Sequence, residues 1–116
     1  INCPTSGAYY DNRIERTIGA FEQNYGLSEV IFGYKVERIP EYLLYNCHNI
    51  DSIYFPKSIK QIDRFALHNT EWFRSYPSDM IYVNNILYRY QGNKDTINSQ
   101  DFKENTVSIA SHCFPI

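Results

Sequence analysis

An apolar pattern that recurs every 23 residues is the feature that most constrains how this 116-residue chain can fold. Phe21, Leu44 and Leu67 fall on one another at this offset. A repeat of this length is typical of solenoids, in which each unit buries its apolar face against the next unit. The sequence therefore predicts stacked repeats whose matching positions lie above one another. The other coincident pairs are Leu27 and Ile50, Val30 and Ile53, Phe32 and Phe55, Val36 and Ile59, and Ile39 and Ile62.

The pattern divides a single domain, residues 1–116, into four repeats and one insertion. Each complete repeat contains an L-x-x-L-x-L spacing whose last two apolar positions alternate, as in a short strand with one buried face. We therefore expect one strand per repeat in a narrow parallel sheet. Short helical or tight turns are expected on the opposite side, over residues 40–46 and 63–69. The repeats are predicted near residues 14–34, 35–57, 58–79 and 104–116.

The insertion, near residues 80–91, has the pattern of a β-hairpin. Two apolar segments flank Asn84-Asn85. Asn tolerates the positive φ that a two-residue type I′ turn requires. The sequence predicts an antiparallel pair in which Val83 faces Ile86 and Ile81 faces Tyr88.

The insertion takes the place of about one repeat. From Leu67 to Phe114 the chain advances 47 residues, which is two periods plus one. Trp72, Phe73 and Tyr76 lie at the entry to the insertion. We expect these rings to pin the hairpin to the repeats rather than to bind a ligand.

Several spacings together resemble the bacterial BspA-like leucine-rich repeat. The resemblance implies an α/β repeat, a right-handed solenoid with short parallel strands and short helices or turns, in which hairpin insertions also occur. It further implies a bacterial cell-surface or secreted protein with an adhesive or protein-binding role. The segments that carry the resemblance are residues 28–32, 51–56, 58–62 and 106–109.

Charge and hydropathy restrict the classes of partner. The net charge is −2 and the eleven Lys and Arg are scattered, which argues against a nucleic-acid partner. The apolar runs are far shorter than the roughly 20 residues that span a bilayer, so we expect no membrane insertion. The chain begins at Ile1 rather than Met, which indicates a processed or trimmed chain, so the lack of a signal peptide says little about the full gene product.

The cysteines leave the redox state open. With Cys3, Cys47 and Cys113, one disulfide plus one thiol and three reduced thiols both fit the sequence. Cys47 and Cys113 fall at positions that we expect to be buried, which favours structural thiols.

Catalytic and metal-binding chemistry finds no support in the sequence. The adjacent pairs Cys47-His48 and His112-Cys113 do not offer the four convergent ligands of a zinc site. Cys47 with His68 lacks an accompanying oxyanion motif. The acidic residues mostly occupy turn and surface positions, and no Gly-rich phosphate loop exists. We therefore predict a non-enzymatic protein with no catalytic residue, metal site or cofactor.

With catalysis and metal binding rejected, the remaining role is binding through the protein surface, by outward-facing strand residues and hairpin tyrosines. Ile31 beside Tyr54 predicts an exposed apolar stripe of the kind that marks a contact site, unless the hairpin or an absent neighbouring repeat covers it. We predict a binding or adhesion module that contacts another protein or a surface ligand. The alternative is a structural module that forms a homo-oligomer through repeat ends or hairpin edges. The candidate ligand-binding residues are Glu29, Ile31, Ser52, Tyr54, Tyr82, Tyr88 and Tyr90.

Overall fold

The computed structural model of this chain describes residues 8–11, 16–19, 21, 26–110 and 112–114. Cys3 and residue 14, the predicted start of the first repeat, lie outside these residues. Within the described residues, no helix has the length and apolar character needed to cross a bilayer. The elements are β1 (Ala8–Asp11), β2 (Arg16–Gly19), β3 (Glu29–Ile31), β4 (Arg38–Ile39), β5 (Ser52–Tyr54), β6 (Gln61–Ile62), α1 (Glu71–Arg74), β7 (Met80–Val83), β8 (Ile86–Tyr90), a 3₁₀ turn (Ser99–Asp101) and β9 (Ser108–Ile109).

The 23-residue period is the register between neighbouring strands. Val30 pairs with Ile53 where β3 runs parallel to β5, and Ile39 pairs with Ile62 where β4 runs parallel to β6. The expectation of one strand per repeat was wrong, because one 23-residue period contains two short strands, β3 and β4 or β5 and β6, which pair in separate two-stranded sheets. A turn closed by the Val36 N–H on the Gly33 carbonyl at 3.0 Å separates β3 from β4, and the Ile59 N–H on the Pro56 carbonyl at 3.3 Å closes the equivalent turn between β5 and β6.

The opposite side of each repeat consists of hydrogen-bonded turns, as predicted. Leu44 N–H donates to the Ala66 carbonyl at 2.8 Å, so these turns also stack one repeat on the next. The turns require positive φ at Tyr42 (60°) and at its equivalent Phe65 (54°). This conformation costs a bulky L-residue roughly 1–2 kcal/mol. Burial of Leu44 and Leu67, both 0% exposed, offsets that strain.

The core consists of the coincident apolar positions. Val30, Ile39 and Ile62 are at most 2% exposed, and their side chains meet within one cluster. Because the same position of successive repeats is buried, each repeat's core is completed by its neighbour. The apolar residues recur every 23 positions in the sequence because residues 23 positions apart pack next to each other.

The hairpin of β7 and β8 confirms one predicted pair and corrects the other. Val83 faces Ile86 as predicted, but Ile81 faces Arg89 rather than Tyr88, because the register shifts after Ile81. The shift leaves Tyr88 as an extra residue on β8, a β-bulge. Asn84 has a φ of 52° whereas Asn85 is not in the positive range, so the turn is not the type I′ turn that the sequence predicted.

Strand β8 lies between β7 and β9, and its contact with β9 repeats the contact between β4 and β6. The Glu37 carbonyl accepts the Lys60 N–H, and the Asn85 carbonyl accepts the Val107 N–H in the same way. No backbone pairing joins β6 to β8. The hairpin strand β8 therefore pairs with β9 as one repeat strand pairs with the next, but it does not pair with the preceding repeat strand, β6.

The N-terminal strands β1 and β2 form an antiparallel pair in which Tyr10 faces Thr17. The sequence predictions did not anticipate this ladder, because residues 14–34 were assigned to a first repeat. Helix α1 was also not predicted. Its N-terminus is capped by the Thr70 hydroxyl, which accepts the Phe73 N–H at 3.1 Å.

Candidate interaction surface

The outward positions of β3 and β5 form one continuous surface, which we call the outer strand face (Glu29, Ile31, Ser52 and Tyr54). Alternation along β3 turns Val30 inward and its two neighbours outward. The parallel register then places Glu29 beside Ser52 and Ile31 beside Tyr54. Folding thus brings together four of the seven residues that the sequence predicted.

The centre of the outer strand face is apolar and exposed. Ile31 is 58% exposed and Tyr54 is 60% exposed. Neither contributes to the cores formed by the buried residues. Adjacent, exposed apolar side chains on an ordered strand are typical of a contact surface, whereas scattered single ones are not informative.

Aromatic packing beneath the outer strand face holds β5 in place. The Phe55 ring stacks on Phe32 with centroids 5.9 Å apart and meets Trp72 edge-on at 5.4 Å. Trp72 also contacts Tyr76 at 5.5 Å. The residue that follows β5 is therefore anchored in an aromatic cluster next to the outer strand face.

Of the three rings expected to pin the hairpin, Phe73 contacts a hairpin residue directly. Its ring meets Tyr88 edge-on with centroids 6.0 Å apart. The Trp72 ring contacts Phe55 and Tyr76, and both Trp72 and Tyr76 pack against the core cluster to which hairpin residues such as Ile81 and Val83 belong.

The hairpin tyrosines do not join the outer strand face. Tyr88 and Tyr90 are 2% and 7% exposed, which corrects their inclusion among the ligand-binding residues. The bulge turns Tyr88 into the core, where its hydroxyl accepts the Leu67 N–H at 2.9 Å and lies 2.6 Å from His68 Nδ1. The Tyr90 hydroxyl accepts the Lys94 N–H.

Tyr82 is half-buried, and its hydroxyl is engaged inside the molecule. It accepts the Lys103 N–H at 2.8 Å and lies 2.7 Å from the Thr106 hydroxyl. The Lys103 ammonium lies 5.4 Å from the ring centroid. Tyr82 therefore connects the hairpin to the loop before β9. Its hydroxyl and its ring already have contacts within the molecule, so little of the side chain is available to a ligand.

Tyr34 is an exposed ring that the sequence predictions missed. It is 78% exposed and lies three residues beyond Ile31. The signal was present in the repeat pattern, because Lys57 occupies the same position one period later. A position that alternates between Tyr and Lys is not a core position.

The cysteines are buried structural thiols, as predicted for Cys47 and Cys113. Both are buried, and Cys47 donates to the Phe21 carbonyl at 3.1 Å. Burial raises the pKa of the Cys113 thiol to about 11, so the nucleophilic thiolate is scarce at neutral pH.

His68 is held neutral at the junction of repeat, helix and hairpin. Burial, with a smaller contribution from the Arg89 charge, lowers the pKa of His68 to about 4. Its ring stacks on Phe73 at 4.4 Å and meets Phe65 edge-on at 4.8 Å. Among the described residues, no group of three or more His, Cys, Asp or Glu is arranged to hold a metal ion.

Comparison with known proteins identifies the repeat. A family model described as a BspA type leucine-rich repeat region, in six copies, matches residues 14–115. No curated protein and no solved structure matches the chain.

Proposed function

The chain belongs to the BspA-type leucine-rich repeat family, whose model covers residues 14–115, and from this premise we propose that it is a protein-binding module that acts through the outer strand face. Leucine-rich repeat domains generally mediate protein–protein interactions and are generally not enzymes. The partner in this proposal is another protein or a protein-bearing surface.

The adjacent exposure of Ile31 and Tyr54 is the observation that carries the proposal. These two residues pair across β3 and β5, and more than half of each side chain is exposed. Tyr is enriched among the residues that dominate protein interfaces, because a rigid ring offers a large contact area and a polar tip. Glu29 and Ser52 border the apolar centre on the same strands. A matching partner surface has an apolar patch flanked by a hydrogen-bond donor or a cation.

The finer features of the proposal follow from the family and from general topology. BspA-like proteins are typically found at the cell surface or secreted, and we assign this chain to the same setting, as a bacterial adhesion-type module. We also assign a right-handed solenoid, because parallel strands in one sheet are joined by right-handed connections in nearly all cases.

A binding screen against an array of purified extracellular proteins tests the proposal. Tyr54→Ala and Ile31→Ala are each expected to weaken binding to a captured protein by roughly tenfold or more, because each removes a central apolar contact. Phe114→Ala is the matched control, because Phe114 is 40% exposed and lies beside Tyr90, outside the outer strand face. Unchanged affinity of both outer-face variants removes the outer strand face from the proposal.

The alternative that the sequence raised is self-assembly. Measuring the molecular mass of the chain in solution at two concentrations distinguishes it from binding to another protein. A dimer that forms with increasing concentration and is lost in Tyr54→Ala supports assembly through the outer strand face. A monomer at high concentration excludes it.

A further inference from the structure

The outer strand face continues into charged groups of opposite sign at its two ends. Where β3 and β5 begin, the exposed charged residues are Glu29 and Asp51, which we call the acidic end. Beyond the last residues of the same strands, the exposed charged residues are Lys35 and Lys57, which we call the basic end. The outer strand face together with these two ends forms the polarised strip.

The parallel register brings the two carboxylates of the acidic end to the same place. Glu29 pairs with Ser52 across the strands, and Asp51 directly precedes Ser52. The Asp51 N–H donates to the Ser28 carbonyl at 3.0 Å, so the pairing of the two repeats extends to this residue.

The two lysines of the basic end lie in equivalent turns. Lys35 is in the turn between β3 and β4, and Lys57 is in the turn between β5 and β6, each closed by a backbone hydrogen bond. The strands before these turns pair in parallel, and so do the strands after them. The turns therefore lie side by side, and both cations lie beyond the same end of the strand pair.

Neither end is neutralised by its surroundings. No side chain of the acidic or the basic end takes part in an ion pair with another described residue. Glu37, two residues after Lys35, is already paired with Lys60 at 2.8 Å. The Lys35 ammonium lies 5.6 Å from the centroid of the Tyr34 ring, which carries no formal charge. Both ends therefore present net charge to a ligand.

The spacing along the strip matches that of an extended chain. Glu29 and Ile31 are two residues apart in β3, which is about 7 Å at the rise of a strand. From Tyr54 to Lys57 the chain covers at most about 10 Å. An extended ligand advances by the same distances in about two to three residues, so its side chains can reach all three parts of the strip.

The two signs of charge favour a protein segment over a polyanion. A nucleic acid or a sulfated polysaccharide carries one sign of charge and would meet like charge at the acidic end. A peptide supplies a cation, an apolar group and an anion in one chain. The strip contains far fewer residues than the roughly 20–30 that each partner contributes to a stable interface between folded proteins, so it suits a segment better than a second copy of the chain.

We propose that the polarised strip binds an extended segment of a partner protein that carries a basic and an acidic residue on opposite sides of an apolar residue. The basic side chain meets the acidic end, the apolar side chain packs on Ile31 and Tyr54, and the acidic side chain meets the basic end. This inference rests on the proposed binding through the outer strand face and adds the chemistry of the partner and its orientation. Complementary charges fix orientation and specificity in this way.

Selection from a phage-displayed library of random linear peptides tests the proposal. The baits are the unchanged chain, the double variant Glu29→Lys and Asp51→Lys, in which both ends are basic, and the double variant Lys35→Glu and Lys57→Glu, in which both ends are acidic. The unchanged chain is expected to enrich peptides with opposite charges on the two sides of an apolar residue. The first variant is expected to enrich acidic residues on both sides, and the second is expected to enrich basic residues on both sides.

The affinity of one enriched peptide measures the effect. By fluorescence anisotropy, a peptide selected by the unchanged chain is expected to bind each double variant at least about tenfold more weakly, because one of its charges then meets like charge. Phe114→Ala, outside the strip, is the control and is expected to leave binding unchanged. The two double variants alter opposite ends, so a folding defect in one of them leaves the other as a test.

Three results overturn the proposal. They are the lack of a charge pattern among peptides selected by the unchanged chain, the same pattern with all three baits, and a dimer of the unchanged chain that either double variant abolishes. The last result assigns the strip to a second copy of the chain. A captured protein whose binding requires Tyr54 but survives both double variants retains the proposed function and removes only this inference.

Discussion

The Tyr88 hydroxyl accepts the Leu67 N–H and lies within hydrogen-bonding distance of His68 Nδ1. In the preceding repeat the equivalent N–H, that of Leu44, bonds to the Ala66 carbonyl of the next repeat. One side-chain hydroxyl thus replaces the backbone acceptor that a further repeat would supply. Because the site is buried, the replacement matters: a buried N–H without a partner costs about 1–3 kcal/mol.

Removal of this hydroxyl in Tyr88→Phe is expected to lower the free energy of unfolding by about 1–3 kcal/mol. The reason is that the buried Leu67 N–H loses its acceptor while the ring remains in place. Urea denaturation with an unchanged m-value measures this. Tyr54→Phe is the control, because that hydroxyl is on the exposed outer strand face. Equal stability of both variants would show that the Tyr88 hydroxyl does not support the fold.

At the scale of elements, the repeat strands and the hairpin depend on different determinants. The strand pairs β3–β5 and β4–β6 have the register that the 23-residue period predicts, because one-residue slips would turn buried positions toward solvent. The hairpin register depends on a bulge and a turn whose conformations no period encodes. Asn84 anchors that turn with a φ of 52° and with its side-chain N–H on the Pro56 carbonyl at 3.0 Å.

Substitutions at Asn84 separate these two contributions. Asn84→Gly keeps the favourable backbone conformation and loses the bond to Pro56, whereas Asn84→Ala loses both. We expect Asn84→Ala to be less stable than Asn84→Gly by about 1 kcal/mol, because Ala resists positive φ. Thermal unfolding of the two variants measures the difference. If Asn84→Ala is the more stable of the two, backbone strain is not what selects Asn at this turn.

At the scale of the whole molecule, packing outweighs surface charge. Ion pairs cross from one repeat to the next, as between Glu37 and Lys60 at 2.8 Å and between Arg38 and Asp63 at 2.6 Å. Pairs that are open to solvent, such as Glu37 with Lys60, are screened by water and salt and contribute little to stability. The buried rows of apolar side chains through Ile39 and Leu44 contribute more to stability. His68 contacts Phe73 of α1 and Tyr88 of the hairpin, and so joins the repeat to both.

A decrease in pH is therefore expected to lower the stability of the folded protein through His68. The pKa of His68 is lowered from 6.5 to about 4 in the folded chain, so between these values the unfolded chain binds a proton that the folded chain does not. The free energy of unfolding consequently falls as the pH decreases from about 6.5 to about 4. Protonation also leaves a hydrogen on both ring nitrogens, so that Nδ1, 2.6 Å from the Tyr88 hydroxyl, can then only donate to it.

Denaturant unfolding at several pH values between 6.5 and 4.5 measures this dependence, above the range in which most carboxylates titrate. His68→Gln is expected to flatten the dependence, whereas His112→Gln, at an exposed position, is expected to retain it. An unchanged slope in His68→Gln would assign the acid response to other groups.

Much of the fold and part of the candidate site followed from the sequence. The repeat register, the stacked turns, the hairpin with its Val83–Ile86 pair and the burial of Cys47 and Cys113 were predictable, because each depends on spacing and side-chain polarity. The outer strand face was predictable for the same reason. The second strand of each period was not predictable, because β4 and β6 are only two residues long and two residues cannot show an alternating pattern.

The sequence by itself determined which residues stack, because a repeating apolar position can be buried only against its own copies. Tertiary structure alone decided the fate of Tyr88 and Tyr90. Their ring and hydroxyl suit a surface or a core equally, and the bulge in β8 together with the free Leu67 N–H settled Tyr88 in the core.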